Sequence, residues 1–137
     1  KQACYGAMAG LAMGINYLLS GKARGSRVLV IATDIARYGK GTSGEPTQGG
    51  GAVAMLLSDQ PRLIEFDTQC DGYYAQHVMD FWRPIYSKEA FVDGHYSIQC
   101  YLEALEGAYN FYKHNALESK LIDSVNNFNE RFTACLY

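Results

Sequence analysis

Between Cys4 and Ser20 the chain carries no charged residue. Small residues (Gly6, Ala7, Ala9, Gly10, Ala12, Gly14) mix there with large apolar ones (Met8, Leu11, Met13, Ile15, Leu18, Leu19). This pattern predicts a buried helix. Glycine inside a helix costs about 1 kcal/mol relative to alanine, so three of them predict close approach of other backbones on several sides. Gly21 supplies the stop signal. Residues 27–32, R-V-L-V-I-A, form a continuous β-branched apolar run and predict a strand buried on both faces, ending at Thr33-Asp34. Residues 37–51 read as a long loop with six glycines. Residues 52–58 predict a second strand, 59–61 a turn and 62–67 its hairpin partner at a sheet edge. An aromatic segment closes at Pro84, and residues 87–94 read as a connector. With Ser97 as N-cap, Ile98, Tyr101, Leu102, Leu105, Tyr109 and Tyr112 follow helical spacing. Gln99, Glu103, Glu106, Asn110 and Lys113 make the polar face. Residues 117–127 are weaker helix or loop, and 132–137 predict the opening of another buried strand.

Composition narrows the classes. With 137 residues, 48% hydrophobic and 19% charged, the chain is globular and makes one domain or part of one. A net charge of −2 without a basic block argues against nucleic acid or an anionic membrane as partner. The uncharged run at residues 3–19 is too glycine-rich and too marginal in length for a membrane span or a signal-peptide core. Cys4, Cys70, Cys100 and Cys135 contain no C-x-x-C, which fits reduced cytosolic thiols better than a disulfide framework or a zinc site; no structural metal is expected. The chain begins with lysine and stops inside an apolar run, so it is expected to be an excerpt.

Cys4 is the first candidate for chemistry. Unpaired amide N–H groups and the positive end of a helix dipole favour the thiolate, the nucleophilic form of cysteine. The competing reading is a small buried hydrophobe, the commoner role of a free cysteine. Asp34 follows an apolar run too closely for an ordinary surface charge, and two readings stay open: a cap on nearby backbone, or the wall of a site. The glycine-rich loop matches neither the Walker nor the dinucleotide pattern, which argues against nucleotide binding. Tyr73, Tyr74, Phe81 and Trp82 read as core or interface aromatics.

Five motifs then resemble one family in order and spacing: K-Q-A-C-Y-G at residues 1–6, I-A-T-D-I-A-R-Y at 31–38, E-P-T-Q-G-G-G-A-V-A at 45–54, D-F-W-R-P at 80–84 and V-D-G-H-Y-S-I-Q-C-Y-L at 92–102. Together they resemble hydroxymethylglutaryl-CoA synthase, over a middle portion of that family's length. Ala7-Met8 stand where many members have Gly-Thr.

The resemblance implies an α/β, thiolase-like layered αβαβα fold with mixed sheets, only partly covered by this chain. Residues 1–90 would be the latter part of the N-terminal half and 91–137 the start of the C-terminal half. It implies an acyltransferase of the mevalonate pathway that condenses acetyl-CoA with acetoacetyl-CoA. Cys4 would be the catalytic nucleophile that carries the acetyl group. Thr47, Ser97 and, less directly, Ser43 match substrate-binding positions; Asp34, Tyr38 and Asp80 match supporting polar ones. Each has a plainer role open to it: Ser97 as a helix cap, Thr47 as a loop hydrogen bond, Asp80 as a brace for Arg83. The resemblance implies no cofactor and no metal, since CoA thioesters are substrates, and a cytoplasmic homodimer. The general-base glutamate is expected upstream of Lys1 and the catalytic histidine beyond Tyr137, since His77, His95 and His114 do not match it. Two alternatives stand beside this reading: a polyketide β-branching relative that uses carrier-protein-bound substrates, and a non-catalytic binding domain on the same fold.

Overall fold

The computed structural model describes residues 4–134, which fall into two compact units: residues 4–65 with 81–91, and residues 66–80 with 92–134.

The first unit is a helix laid on a two-stranded ladder. Helix α1 spans Gly6–Leu19 and ends at a Ser20 C-cap, followed by Gly21 with φ +74, the left-handed stop that glycine adopts without a Cβ clash. Strand β1 spans Val28–Ala36 and pairs antiparallel with β2, Gly49–Leu57, in the register Val28↔Leu57 to Ala36↔Gly49. Leu11, Val30 and Leu57 form the buried core, with Ile15, Leu18, Val28 and Met55 packed around it. Two helix glycines make the close approach possible. A Cβ on Gly14 would stand 2.7 Å from a Leu57 methyl and 3.1 Å from Val28 Cγ1, and one on Gly10 would stand 3.2 Å from Val30 Cγ1.

Several expectations are corrected here. The first helix is buried on one face only: Leu11 and Gly14 are buried, whereas Met13 is 72% exposed. The strand begun at residues 27–32 runs on through Asp34 to Ala36 and is likewise covered on one face, leaving Leu29, Ile31 and Ile35 exposed. Apolar residues on both faces read as a doubly buried strand, but the helix lies on one side alone among the described residues. Gly49, Gly50 and Gly51 are strand rather than loop, so the connection is residues 37–48, with a 3-10 turn at Glu45–Thr47. The partner of β2 is β1, and residues 62–67 form no strand. Pairing the two longest apolar runs won over the shorter local hairpin. Strands β3 (Phe81–Trp82) and β4 (Phe91–Val92) pair within the segment read as aromatic cluster and connector, with Trp82 and Phe91 rings 6.0 Å apart.

The second unit is built on helix α2, Gly94–Glu118. Its N-cap is Asp93, whose carboxylate accepts the Tyr96 N–H at 3.1 Å, so Ser97 lies in the first turn and is not the cap. The packed face matches the expected one only toward the C-terminal end, at Tyr109 and Tyr112. Cys100 and Ala116 are buried and Ala104, Gly107 and Ala108 partly so, while Ile98, Tyr101 and Leu102 are exposed. Small residues face inward because backbone and rings sit directly on the helix: Gly72 lies against the Ala108 carbonyl and Tyr112, and the Tyr74 ring lies over Gly107. Tyr73 meets Phe111 edge-on at 4.7 Å. After α2 a 3-10 helix, Val125–Arg131, delivers Phe128 into a core with Ala116 and Ile122, where Tyr109, Tyr112 and Phe132 ring it edge-on. Arg131 clasps the unit by donating to the Leu121 carbonyl at 3.0 Å and to Asp67 at 3.2 Å. Phe132, Thr133 and Ala134 form no strand; the rest of the expected C-terminal strand lies outside the described residues. Among the described residues no helix is long and apolar enough to cross a membrane.

Two predictions follow from the packing. In a longer protein carrying this sequence, Gly14→Ala gains about 1 kcal/mol of helix propensity but meets the β-branched Val28, which cannot yield by rotating a distal bond. A net loss of about 1 kcal/mol is expected as a lower urea midpoint. The 137-residue chain alone, with Leu29, Ile31 and Ile35 bare on one sheet face, is expected to bind an apolar dye and to self-associate with rising concentration. Sedimentation as a dye-silent monomer would contradict this.

Candidate active site

The site follows from how α1 lies on the ladder. Gly14 meets Val28 and Leu57 while Gly10 meets Val30, so the helix runs against β1 and brings its N-terminus to the Asp34 end of the strand. Tyr5 caps that end without a side-chain hydrogen bond, and the first turn carries no acidic residue. The first-turn amides therefore keep their donors and the helix dipole stays uncompensated there.

Cys4 stands just before this end, exposed, with φ 61. A non-glycine residue in the left-handed region costs on the order of 1–2 kcal/mol. Such backbone strain recurs where a nucleophile is held out on a tight turn into a helix. The exposure corrects the alternative reading of Cys4 as a buried hydrophobe.

Cys4 lines an open cleft of about 800 Å³ together with Asp34, Thr47 and the glycine run 49–51. Two sequence-predicted residues thus join it. Asp34 sits opposite Gly51 in the ladder, and one of its carboxylate oxygens accepts the Ile35 N–H at 2.8 Å. Asp34 thus binds backbone and lines the cleft. The Thr47 hydroxyl donates to the Gly44 carbonyl at 2.8 Å. Its proton is committed to the loop, and what it can offer a ligand is the oxygen lone pairs. Within the ladder, residues 49 and 51 of β2 share a face with Ala32, Asp34 and Ala36 of β1, the face on which α1 lies.

The remaining predicted residues are placed elsewhere. Ser43 is exposed in the 37–48 loop and is not part of the cleft lining. Tyr38 is also outside the lining; its ring packs on Gly44 and meets Phe81 edge-on at 6.4 Å, which makes it a support for the loop. Asp80 and Ser97 belong to the second unit and form one hydrogen bond, Ser97 Oγ donating to Asp80 at 3.0 Å. Asp80 thus holds Ser97, where a brace on Arg83 had been the plainer expectation. Its backbone carbonyl also accepts the Asp93 N–H at 2.8 Å, fixing the start of α2 twice over. Sequence reasoning missed the glycine triplet as cleft lining. The signal was there, a G-G-G run directly after Thr47-Gln48, but composition assigned it to a loop.

Elsewhere in the second unit, burial raises the thiol pKa of Cys70, an effect that Arg131 partly offsets. Burial likewise raises the phenol pKa of Tyr112, with the neighbouring Cys70 adding to it.

The architecture, helix against sheet with the cysteine at the helix mouth, is part of the thiolase-like α/β fold. Residues 1–61 match the hydroxymethylglutaryl-coenzyme A synthase N-terminal family and residues 64–135 the corresponding C-terminal family. The chain belongs to the hydroxymethylglutaryl-CoA synthase family, whose members are enzymes. It is 45% identical over 112 residues to the cytoplasmic hydroxymethylglutaryl-CoA synthase of Gallus gallus, an alignment that covers 81% of this chain and 21% of the relative. It is 38% identical to PksG of Bacillus subtilis (strain 168), a polyketide biosynthesis 3-hydroxy-3-methylglutaryl-ACP synthase, covering 82% of this chain and 29% of that one. Among solved structures it superposes on MvaS in complex with 3-hydroxy-3-methylglutaryl coenzyme A with a TM-score of 0.81 at 52% identity, over 89% of this chain and 29% of the other. The chain therefore spans less than a third of the length of these relatives.

The thiols should report this geometry. In a Cys135→Ser background, a neutral disulfide reagent is expected to modify exposed Cys4 first, with Cys70 much slower at pH 7.5. Because burial raises the Cys70 pKa, a smaller share of it is thiolate at neutral pH, and its lag should narrow as the pH is raised. Equal rates for the two thiols at neutral pH would contradict the described burial.

Proposed function

We infer that this chain is the nucleophile-bearing portion of a hydroxymethylglutaryl-CoA synthase that condenses acetyl-CoA with acetoacetyl-CoA to 3-hydroxy-3-methylglutaryl-CoA. The observation that carries the reading is Cys4: exposed, in left-handed backbone, at an uncapped helix N-terminus, and in one cleft with Asp34 and Thr47.

The chemistry asks for these features. The Cys4 thiolate attacks the acetyl carbonyl of acetyl-CoA, a new C–S bond forms and the coenzyme A thiolate leaves. Amide donors at the mouth of α1 are suited to the oxyanion that develops during this exchange. A base supplied from outside this chain removes a methyl proton of acetyl-Cys4. The resulting carbanion forms a C–C bond to the ketone carbon of acetoacetyl-CoA, the carbonyl π pair moves to the ketone oxygen, which takes a proton from an acid outside this chain, and water then cleaves the Cys4 thioester, returning the thiol and the product acid. Thr47 serves as an acceptor for a donor on the acyl carrier arm, and Asp34 lines the wall beside the reacting thioester. Ser97, steadied by Asp80, is read as a further CoA contact, and Ser43 as a more distant one.

The reading extends to a cytoplasmic homodimer without cofactor or metal. A second reading, in which a carrier protein presents the acyl groups, is favoured by the likeness to the Bacillus subtilis polyketide enzyme. Assaying acetyl-CoA and an acetyl-carrier protein as rival donors separates the two.

The decisive test is Cys4→Ser in a full-length synthase carrying this sequence. A serine hydroxyl without a dedicated base is a far weaker nucleophile at neutral pH, so labelled acetyl-enzyme should vanish and turnover fall by at least about 10³-fold, while CoA binding persists. Acetyl-enzyme retained in the variant would remove Cys4 from its role.

A further inference from the structure

We propose that Glu45 is a positioning residue for the acyl-thioester site, acting through Thr47. This rests on the reading of Cys4 and Thr47 given above. Thr47 is carried by the 37–48 connection between β1 and β2, which has almost no regular structure of its own, a single 3-10 turn at Glu45–Thr47. Something must hold its hydroxyl on the rim of the cleft. The Glu45 carboxylate accepts the Gly41 N–H at 2.7 Å, tying the middle of the loop to the turn that carries Thr47. Gly41 has φ +77, so the carboxylate closes a left-handed bend that a side chain could not adopt without strain.

The backbone of Glu45 works in the same direction. Its N–H donates to the Thr42 carbonyl at 3.2 Å and its carbonyl accepts the Gln48 N–H at 3.3 Å. Thr42 in turn donates its hydroxyl to the Gly39 carbonyl at 2.6 Å. Thr47 then closes the chain of contacts by bonding back to Gly44 through both its N–H and its hydroxyl, at 3.0 and 2.8 Å. Glu45 itself does not line the cleft. Its carboxylate is the one charged acceptor in this set of contacts, and a hydrogen bond to a charged group is among the stronger ones available to a loop.

The effect should therefore appear in substrate affinity more than in the chemical step. In a full-length synthase carrying this sequence, Glu45→Ala is expected to raise KM for the acyl thioester by about tenfold, with acetylation of Cys4 at saturating donor changed less than threefold. Glu45→Gln keeps a carbonyl oxygen able to accept the Gly41 N–H and should recover most of the affinity. In a Thr47→Val background, which removes the hydroxyl, Glu45→Ala should add less than twofold, because the two act in series. An unchanged KM in Glu45→Ala, no recovery in Glu45→Gln, or full additivity with Thr47→Val would each overturn the proposal. Absence of acetyl-Cys4 in the parent protein would instead sink the reading of the site itself, so the two failures are told apart by the unmutated control.

Discussion

The first unit depends on how closely α1 can lie on the β1–β2 ladder. Gly10 and Gly14 replace side chains with backbone at the contact, and Val28, Val30 and Leu57 fill the space. Helix direction and height are both set by this contact. Reversing the helix would carry the dipole away from Asp34 and Thr47, and lifting it by one methyl group would open the cleft floor. The chemistry proposed for Cys4 is thus a consequence of packing that lies two to three helical turns away from it.

Much of this was legible in the chain. The uncharged run with its glycines gave α1 and its stop, the β-branched run gave the start of β1, and the five motifs gave the family. Cys4, Asp34 and Thr47 were all named from sequence and all line one cleft. What failed did so for physical reasons. Gly49, Gly50 and Gly51 look like loop by propensity, yet ladder pairing with Ala36, Ile35 and Asp34 overrides it. Helical spacing found α2 and its Tyr109 and Tyr112 contacts with Phe128, but it put Ile98, Tyr101 and Leu102 inward where close backbone contact selects Cys100, Ala104, Gly107 and Ala108. Asp93 and Ser97 are equally good caps by composition, and only the backbone decides between them.

The two units also show different ways of making a core. In the first, a helix and a ladder share three buried apolar residues, and regular hydrogen bonding does the rest. In the second, irregular chain is wrapped on α2 and held by ring edges around Phe128 and by the Arg131 clasp. Long apolar periodicity cannot announce the second kind, because its contacts come from residues far apart in sequence, such as Asp67 and Arg131.

The antiparallel register carries a constraint on how such a chain can evolve. Side chains alternate faces with a period of two, so Asp34 and Gly51 look toward the helix mouth only while their phase is kept. Lengthening the 37–48 connection changes how far a loop must reach, a slow and forgiving dependence. A single residue inserted between Ile31 and Thr33 would instead turn the carboxylate to the opposite face and bring Thr33 to the floor beneath Cys4. Lineages derived from this fold are therefore free to drift in loop length, while the two strands that bear the site are locked to changes of even parity.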